Sequence, residues 1–388
     1  MSIDIRSADV VIIGAGIMGA ATACFAARAG LSVAVVERGS IAAGTTSRCE
    51  GNLLVSDKEV GPELELALYS QRIWREDLAE HAADWEFESK GGLVVAGSDA
   101  SMASLTALTA HQRELGIRVE AVAGTAALRE IEPYLNPESV GGAFYPDDAQ
   151  VQPVLAAHHL LRLAREAGAR VFTHTDVRAI RTRAGRAIGV ETTGGGIDAG
   201  AVINCAGAWS GDVAELAGLT LPVLPRRGFV LVTEPVPITV HHKVYAAEYV
   251  GDVASSDAAL QVSPVVEGTP SGTILMGASR ERVGFDETFS NEAIARIARS
   301  GIALFPVLAD VQLLRAYSGF RPYCPDHLPV IGEDARMPGL WHAAGHEGAG
   351  IGLSVGTAKV LVQALRGVTP DLDLAPFRPE RLDEVLAA

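Results

Sequence analysis

Between Val10 and Ala27 the chain carries 18 residues without a charge, a length at which a membrane span has to be considered. The internal pattern argues against one. Val10-Val11-Ile12-Ile13 is a short β-branched run, Gly14, Gly16 and Gly19 interrupt it, small residues follow, and a second apolar run from Leu31 to Val36 ends on Glu37. Strand, glycine turn, helix, strand is the order this pattern predicts. Asp9 stands directly before the run, no basic segment leads it and no cleavage site closes it, so a secretion leader is not expected either. No other stretch is long and apolar enough to span, and a soluble, cytoplasmic protein is the expectation.

Further along, helical periodicity is found at Pro62 to Leu78, Ala100 to Leu115, Pro153 to Ala167 with Gly168 as its stop, and Asn291 to Leu304. Strand character appears from Phe87 to Val95, at Val171-Phe172 and Val177, and in a turn-rich meander through Gly185, Gly189 and Gly194 to Gly196. Ala201 to Cys205 reads as a buried strand that ends in the small-residue turn Ala206-Gly207-Ala208-Trp209, and Pro222 to Gly277 is strand-rich. No internal repeat or low-complexity linker interrupts this.

With 388 residues, 48% hydrophobic and 20% charged, the chain can bury a large core in two domains. Its net charge of −15 argues against a nucleic acid or an anionic membrane surface as partner, since both need a basic face. Cys24, Cys49, Cys205 and Cys324 have no metal-ligand spacing, and Cys24 and Cys205 read as buried apolar residues. The adjacent pair His158-His159 does not read as a metal pair, because neighbours on a helix point about 100° apart.

Gly14-x-Gly16-x-x-Gly19 between two strands, with Glu37 18 residues after Gly19, predicts a dinucleotide site. Gly14 permits the tight turn, Gly16 lets backbone approach a pyrophosphate, and Gly19 lets helix and strand pack closely. Glu37 would accept from ribose hydroxyls and repel a 2′-phosphate, which disfavours NADP. A second glycine-rich segment, Gly345-His346-Glu347-Gly348-Ala349-Gly350-Ile351-Gly352, opens a long helix. Helix N-termini favour negative charge. A pyrophosphate needs only the first, so the second suits the pyrimidine side of a flavin, where charge builds on reduction.

On these residues the chain resembles the FAD-dependent D-amino-acid-oxidase-type family, which includes glycine and sarcosine oxidases and the beta subunits of opine oxidases and hydroxyproline or proline dehydrogenases. Further anchors are Gly44 to Ser47, Thr175-Asp176-Val177, Asn204 to Gly211, Pro225 to Gly228, Met276 to Ser279, Gly319 to Pro322 and Pro325 to Gly332. The resemblance implies an α/β plus α+β fold: a discontinuous Rossmann-like FAD-binding domain (1–85, 147–218 and 323–388) and a smaller antiparallel-sheet substrate domain (86–146 and 219–322). It implies non-covalent FAD, contacted by Gly14, Ala15, Gly16, Ile17, Met18, Gly19, Glu37, Arg38, Thr45, Thr46, Ser47, Gly51, Asn52, Leu53, Val177, Ala206, Gly207, Trp209, Arg321, Gly345, His346, Gly348, Ala349, Gly350 and Ile351.

The implied reaction is oxidation of an amino acid or N-substituted amino acid at the C–N bond, by hydride transfer to flavin N5, giving an imine. Such chemistry needs orientation more than acid–base groups. Arg321 is the candidate for the substrate carboxylate, since a guanidinium fork suits that bidentate task. Glu50 is a candidate partner for the substrate ammonium or else a loop carboxylate facing water. Gln261 and Arg280 are expected on the substrate side, where a second Arg would suit an additionally anionic substrate such as an opine. The strand Ile274-Leu275-Met276 offers no lysine to promote reaction with oxygen, so the electron acceptor is either oxygen or a partner subunit. A NAD-dependent dehydrogenase shares the GxGxxG but leaves Gly345 to Gly352 unexplained, and a flavin-carrying assembly subunit leaves Arg321 unexplained.

Overall fold

The computed structural model describes residues 3–249 and 255–383. Residues 250–254, inside the expected strand-rich stretch Pro222 to Gly277, and the ends of the outermost expected domain segments lie outside the described residues.

Two eight-stranded sheets organise the chain. In the first, Leu340–Ala344, Gly195–Asn204, Ser7–Ile13, Val33–Val36 and Arg170–Phe172 run parallel in that spatial order, with Val330–Glu333 antiparallel at one edge. Val10 to Ile13 and Val33 to Val36 are buried throughout, as strands covered on both faces must be. The helix Ile17–Arg28 packs between Pro153–Glu166 and Gly350–Leu365. Its alanines and glycines are buried on all sides, which explains why its sequence carries no polar face. The expected strand from Leu31 starts at Val33, because Ser32 is engaged instead with Asp9: its N–H and Oγ donate to Asp9 Oδ2 at 2.8 and 2.6 Å.

The second sheet runs Leu313–Tyr323, Leu224–Thr233, Ile274–Arg280, Gln261–Gly268, Lys243–Ala246, Gly92–Ala96, Gly141–Tyr145 and Glu120–Ala123. Its pairings are antiparallel apart from Lys243–Ala246 against Gly92–Ala96. Side chains alternate along Leu224–Thr233: Phe229 and Leu231 enter an apolar core with Ile297 of the helix Asn291–Leu304, while Gly228 and Val230 line a cavity shared with the first sheet. The helix expected from Pro62 to Leu78 is α-helical to Arg72 and widens over Ile73–Asp77. Among the described residues, no helix is long and apolar enough to cross a membrane.

Candidate active site

The first glycine loop packs as its spacing predicts. A Cβ on Gly19 would lie 1.9 Å from the carbonyl oxygen of Gly14, and one on Gly14 would lie 2.6 Å from that of Cys205. Neither backbone can retreat, so both positions need glycine. Ile17 N–H donates to Thr46 Oγ1 (3.0 Å), which ties this turn to the Gly44–Arg48 loop. Glu37 directly follows the second strand and accepts from Ala15 N–H through Oε2 and from Gly39 N–H through Oε1, both at 2.8 Å. Its carboxylate is thereby fixed at the mouth of the loop.

From Glu37 a cavity of about 530 Å³ runs past Arg38, Val177 and Trp209 to Glu50, Arg321 and Gly348. Arg38 lies over the Trp209 ring, 4.2 Å from its centre. The helices Ile17–Arg28 and Gly350–Leu365 both begin on this cavity. Neither has a side-chain cap or an acidic residue in its first turn. Two positive dipole ends thus face one space, an arrangement that suits a group with a pyrophosphate at one end and an electron-accepting ring at the other. His346 is buried against Thr357 Oγ1 (3.0 Å), and burial pushes its imidazole down to about 3, so it is neutral at working pH.

At the second helix Gly228 and Gly319 of the second sheet line the cavity, and Gly277 backs Glu50. A Cβ on Gly228 would lie 2.1 Å from Arg321 Nη1, one on Gly277 2.0 Å from Glu50 Oε1, and one on Gly319 2.3 Å from Arg48 Cβ. Charged side chains lie flat against bare backbone there. Arg321 Nη1 donates to the Ser279 carbonyl (2.8 Å). Glu50 is buried, in contrast to a loop carboxylate in water. Its Oε2 accepts weakly from Asn52 Nδ2 (3.4 Å), while Oε1 has no hydrogen-bond partner among the described residues. Behind it, Lys243 Nζ donates to Glu267 Oε2 at 2.8 Å and stands 4.0 Å from Glu50 Oε2.

Most of the expected residues line this cavity, but several stand behind its surface. Ser47 turns its hydroxyl onto the carbonyls of Ala43 and Gly44. Ala15, Gly19, Leu53 and Gly345 support the wall without lining it, and Ala349 and Arg280 line a neighbouring cavity. Gln261 lines neither: its Oε1 accepts from Arg226 Nη2 (3.3 Å) and its Nε2 donates to Ser255 (2.7 Å), so it positions an arginine. Arg48, Arg226, Glu347, Lys243 and Glu267 were not singled out from the sequence. Lys243 comes from a strand two removed from the one searched for a lysine. Arg226 had a visible signal, standing two residues before Gly228 and so on the same strand face. His159 meets His81 and Asp84 from another segment, within 4.8 Å, but its Nε2 is already 2.6 Å from Arg162 Nη2.

Fold and cavity together define a flavin-dependent oxidoreductase. The family model described as FAD dependent oxidoreductase matches residues 9–364. Glycine oxidase of Geobacillus kaustophilus is 30% identical over 377 residues, covering 95% of this chain and 96% of its own. Hydrogen cyanide synthase subunit HcnC of Pseudomonas aeruginosa is 30% identical over 330 residues, covering 84% and 75%. The crystal structure of glycine oxidase from Geobacillus kaustophilus superposes with a TM-score of 0.88 at 26% identity, covering 97% and 99%. The chain belongs to this family of FAD-dependent oxidoreductases, whose members act on amino acids or amines, and its cofactor is FAD.

Proposed function

We propose that the protein oxidises the C–N bond of an amino acid or N-substituted amino acid. FAD, once bound, would supply the two-electron acceptor, its N5, for hydride from the carbon that bears nitrogen. The amine nitrogen loses a proton, a C=N bond forms, and water converts the imine to a carbonyl compound and an amine. The observation that carries this reading is the placement of opposite charges, Arg321 and Glu50, against Gly228 and Gly277 at one end of the cavity. Arg321 would hold the carboxylate through its guanidinium fork and Glu50 the ammonium, so the substrate is oriented at both ends. The residues expected to hold FAD are the two glycine loops, Glu37, and the segment Thr45 to Leu53.

The test is anaerobic mixing of the yellow protein with D- and L-amino acids, N-methyl amino acids, hydroxyprolines and opines while the visible flavin band is followed. Bleaching by one class identifies substrate and stereochemistry; a colour change with none of them rejects the proposal. Arg321→Ala should lose roughly 3 kcal/mol in kcat/KM with flavin retained. Unchanged kinetics would remove Arg321 from the site. A second reading, a beta subunit that passes electrons to a partner, is favoured by similarity to a synthase subunit. Slow recolouring in air after bleaching would support it over an oxidase.

A further inference from the structure

We infer that His81, Asp84 and His159 bind one divalent transition-metal ion of the zinc class, at the stem where the chain leaves the first sheet for the second. None of the three lines the flavin cavity, and the site does not depend on the function proposed above.

The stem has two limbs. The short 3₁₀ helix Ala79–Trp85 carries His81 and Asp84, and the helix Pro153–Glu166 carries His159. Gln152 N–H donates to the Trp85 carbonyl at 2.8 Å, which joins the limbs by backbone. The residues between them go on to form Gly92–Ala96, Glu120–Ala123 and Gly141–Tyr145 of the second sheet. Trp85 is fully buried and packs edge-to-face with both imidazoles, its ring centre 5.6 Å from that of His81 and 5.3 Å from that of His159. The two rings are therefore held close together before an ion arrives, and such preorganisation reduces the entropy lost on binding. Asp84 Oδ2 stands between them, 3.1 Å from His159 Nε2 and 3.6 Å from His81 Nδ1. A tetrahedral ion with bonds of about 2.0 to 2.2 Å holds its ligand atoms roughly 3.3 to 3.6 Å apart, so both spacings are close to those around one shared ion. The third pair lies within 4.8 Å, a gap that side-chain rotation closes.

Two imidazoles and one carboxylate suit zinc, nickel, cobalt or copper(II), whereas magnesium and calcium take oxygen ligands. Asp84 is exposed, so a fourth position is open to water. The surrounding charges also fit a cation. Glu80 Oε1 lies 3.4 Å from His81 Nε2, where it holds the proton that a metal on Nδ1 leaves on that nitrogen. Arg28 Nη2 faces the same nitrogen at 3.4 Å. Arg162 is the competitor at His159: its Nη2 is 2.6 Å from Nε2 but only 3.4 Å from Nδ1 of the same ring, so it sits beside the ring and off the lone-pair axis of Nε2. Its other terminal nitrogen is anchored to Glu166 at 2.5 Å. Three carboxylates, Asp84, Glu80 and Glu166, thus meet two guanidiniums, a balance that a bound cation improves. Burial holds the His159 imidazole below its usual range against the pull of Asp84, and the neutral ring is the form that ligates a metal.

The experiment uses the FAD-loaded protein after treatment with a chelator. Calorimetric titration with Zn²⁺ should give one site per chain, and Asp84→Asn and His159→Gln should each weaken it about tenfold or more. Because Asp84 is exposed, its variant tests the site without disturbing the core. Ni²⁺ should quench tryptophan fluorescence saturably through Trp85, and excess Zn²⁺ should restore it. At about a hundredfold excess of Zn²⁺ over the wild-type Kd, the melting temperature should rise by roughly 3 °C in the wild type and by about half as much or less in Asp84→Asn. Affinities within about twofold of wild type in both variants would place the ion on other histidines and overturn the site. So would the absence of saturable Zn²⁺ binding up to about 1 mM. Neither failure touches the proposed function, because none of these readouts involves turnover.

Discussion

Glu50 shows how one side chain can be committed by the groups behind it. It is buried, one oxygen lacks a partner among the described residues, and the nearest cation, Lys243, is bonded to Glu267 instead. Burial works against the Lys243 ammonium, yet Glu267 and Glu50 outweigh it and keep it protonated. One ammonium therefore faces two carboxylates, and the cavity-facing one is left with unmet demand for a donor. A substrate ammonium meets that demand. Glu50→Gln keeps shape and removes charge, so kcat/KM should fall roughly 10- to 100-fold, the worth of one charge-assisted hydrogen bond, with flavin still bound. Lys243→Met should behave differently. It strands two buried carboxylates, and the loss should appear in thermal unfolding, on the order of 3 kcal/mol, rather than in KM alone. If Glu50→Gln turned over at the wild-type rate, the ammonium would have to be held elsewhere.

At the scale of elements, the site is made by glycines in strands, which weaken a sheet and therefore ask for a reason. Gly228 faces Gly319 across one strand pair, and Gly277 lies on the strand beyond. The missing side chains leave room for Arg321, Arg48 and Glu50. Gly228→Ala should displace the Arg321 guanidinium, since its Cβ would also approach the Ser279 carbonyl to 2.5 Å. The expected result is a rise in KM of tenfold or more, roughly, at unchanged flavin content; a KM within twofold of wild type would show that Arg321 has other room. The first glycine loop was legible in the sequence because spacing within one strand–turn–helix fixes its geometry. The helix Asn291–Leu304 has the bounds its periodicity predicts, and the structure adds a cap, Ser290 Oγ accepting from Ala293 N–H. Arg226, Lys243 and Glu267 were not legible, because their roles depend on which strands become neighbours, and local pattern does not encode that pairing.

In the whole molecule a buried carboxylate ties the segment that follows Glu50 to the second sheet. The short strand Asn52–Leu53 pairs with Ala149–Gln150, and Asp148, fully buried, accepts from Val55 N–H at 2.9 Å and from Ser56 Oγ. Ser56 Oγ in turn accepts from Tyr245 of the second sheet at 2.6 Å, and a Cβ on Gly92 of that sheet would meet Asp148 Oδ2 at 2.3 Å. Asp148 thus sits where the segment carrying Glu50 crosses the second sheet, and its charge state bears on how firmly that segment is held. Burial pushes its carboxyl up to about 7, although the hydrogen bonds from Ser56 and Val55 pull the other way. In the unfolded chain an aspartate titrates near 4, roughly. Between about pH 4 and 7 the native state therefore binds more protons than the unfolded state, and this group's contribution to stability falls as pH rises through that window. It is fully present below the window and gone above it. Asp148→Asn keeps an acceptor for Val55 and removes the titration. Urea unfolding of both proteins at half-unit steps from pH 4.5 to 8 should show wild-type stability declining relative to the variant up to about pH 7, then running parallel to it. Parallel curves over the whole range would mean that Asp148 is ionised in the native state, and that the Ser56 and Val55 hydrogen bonds outweigh its burial.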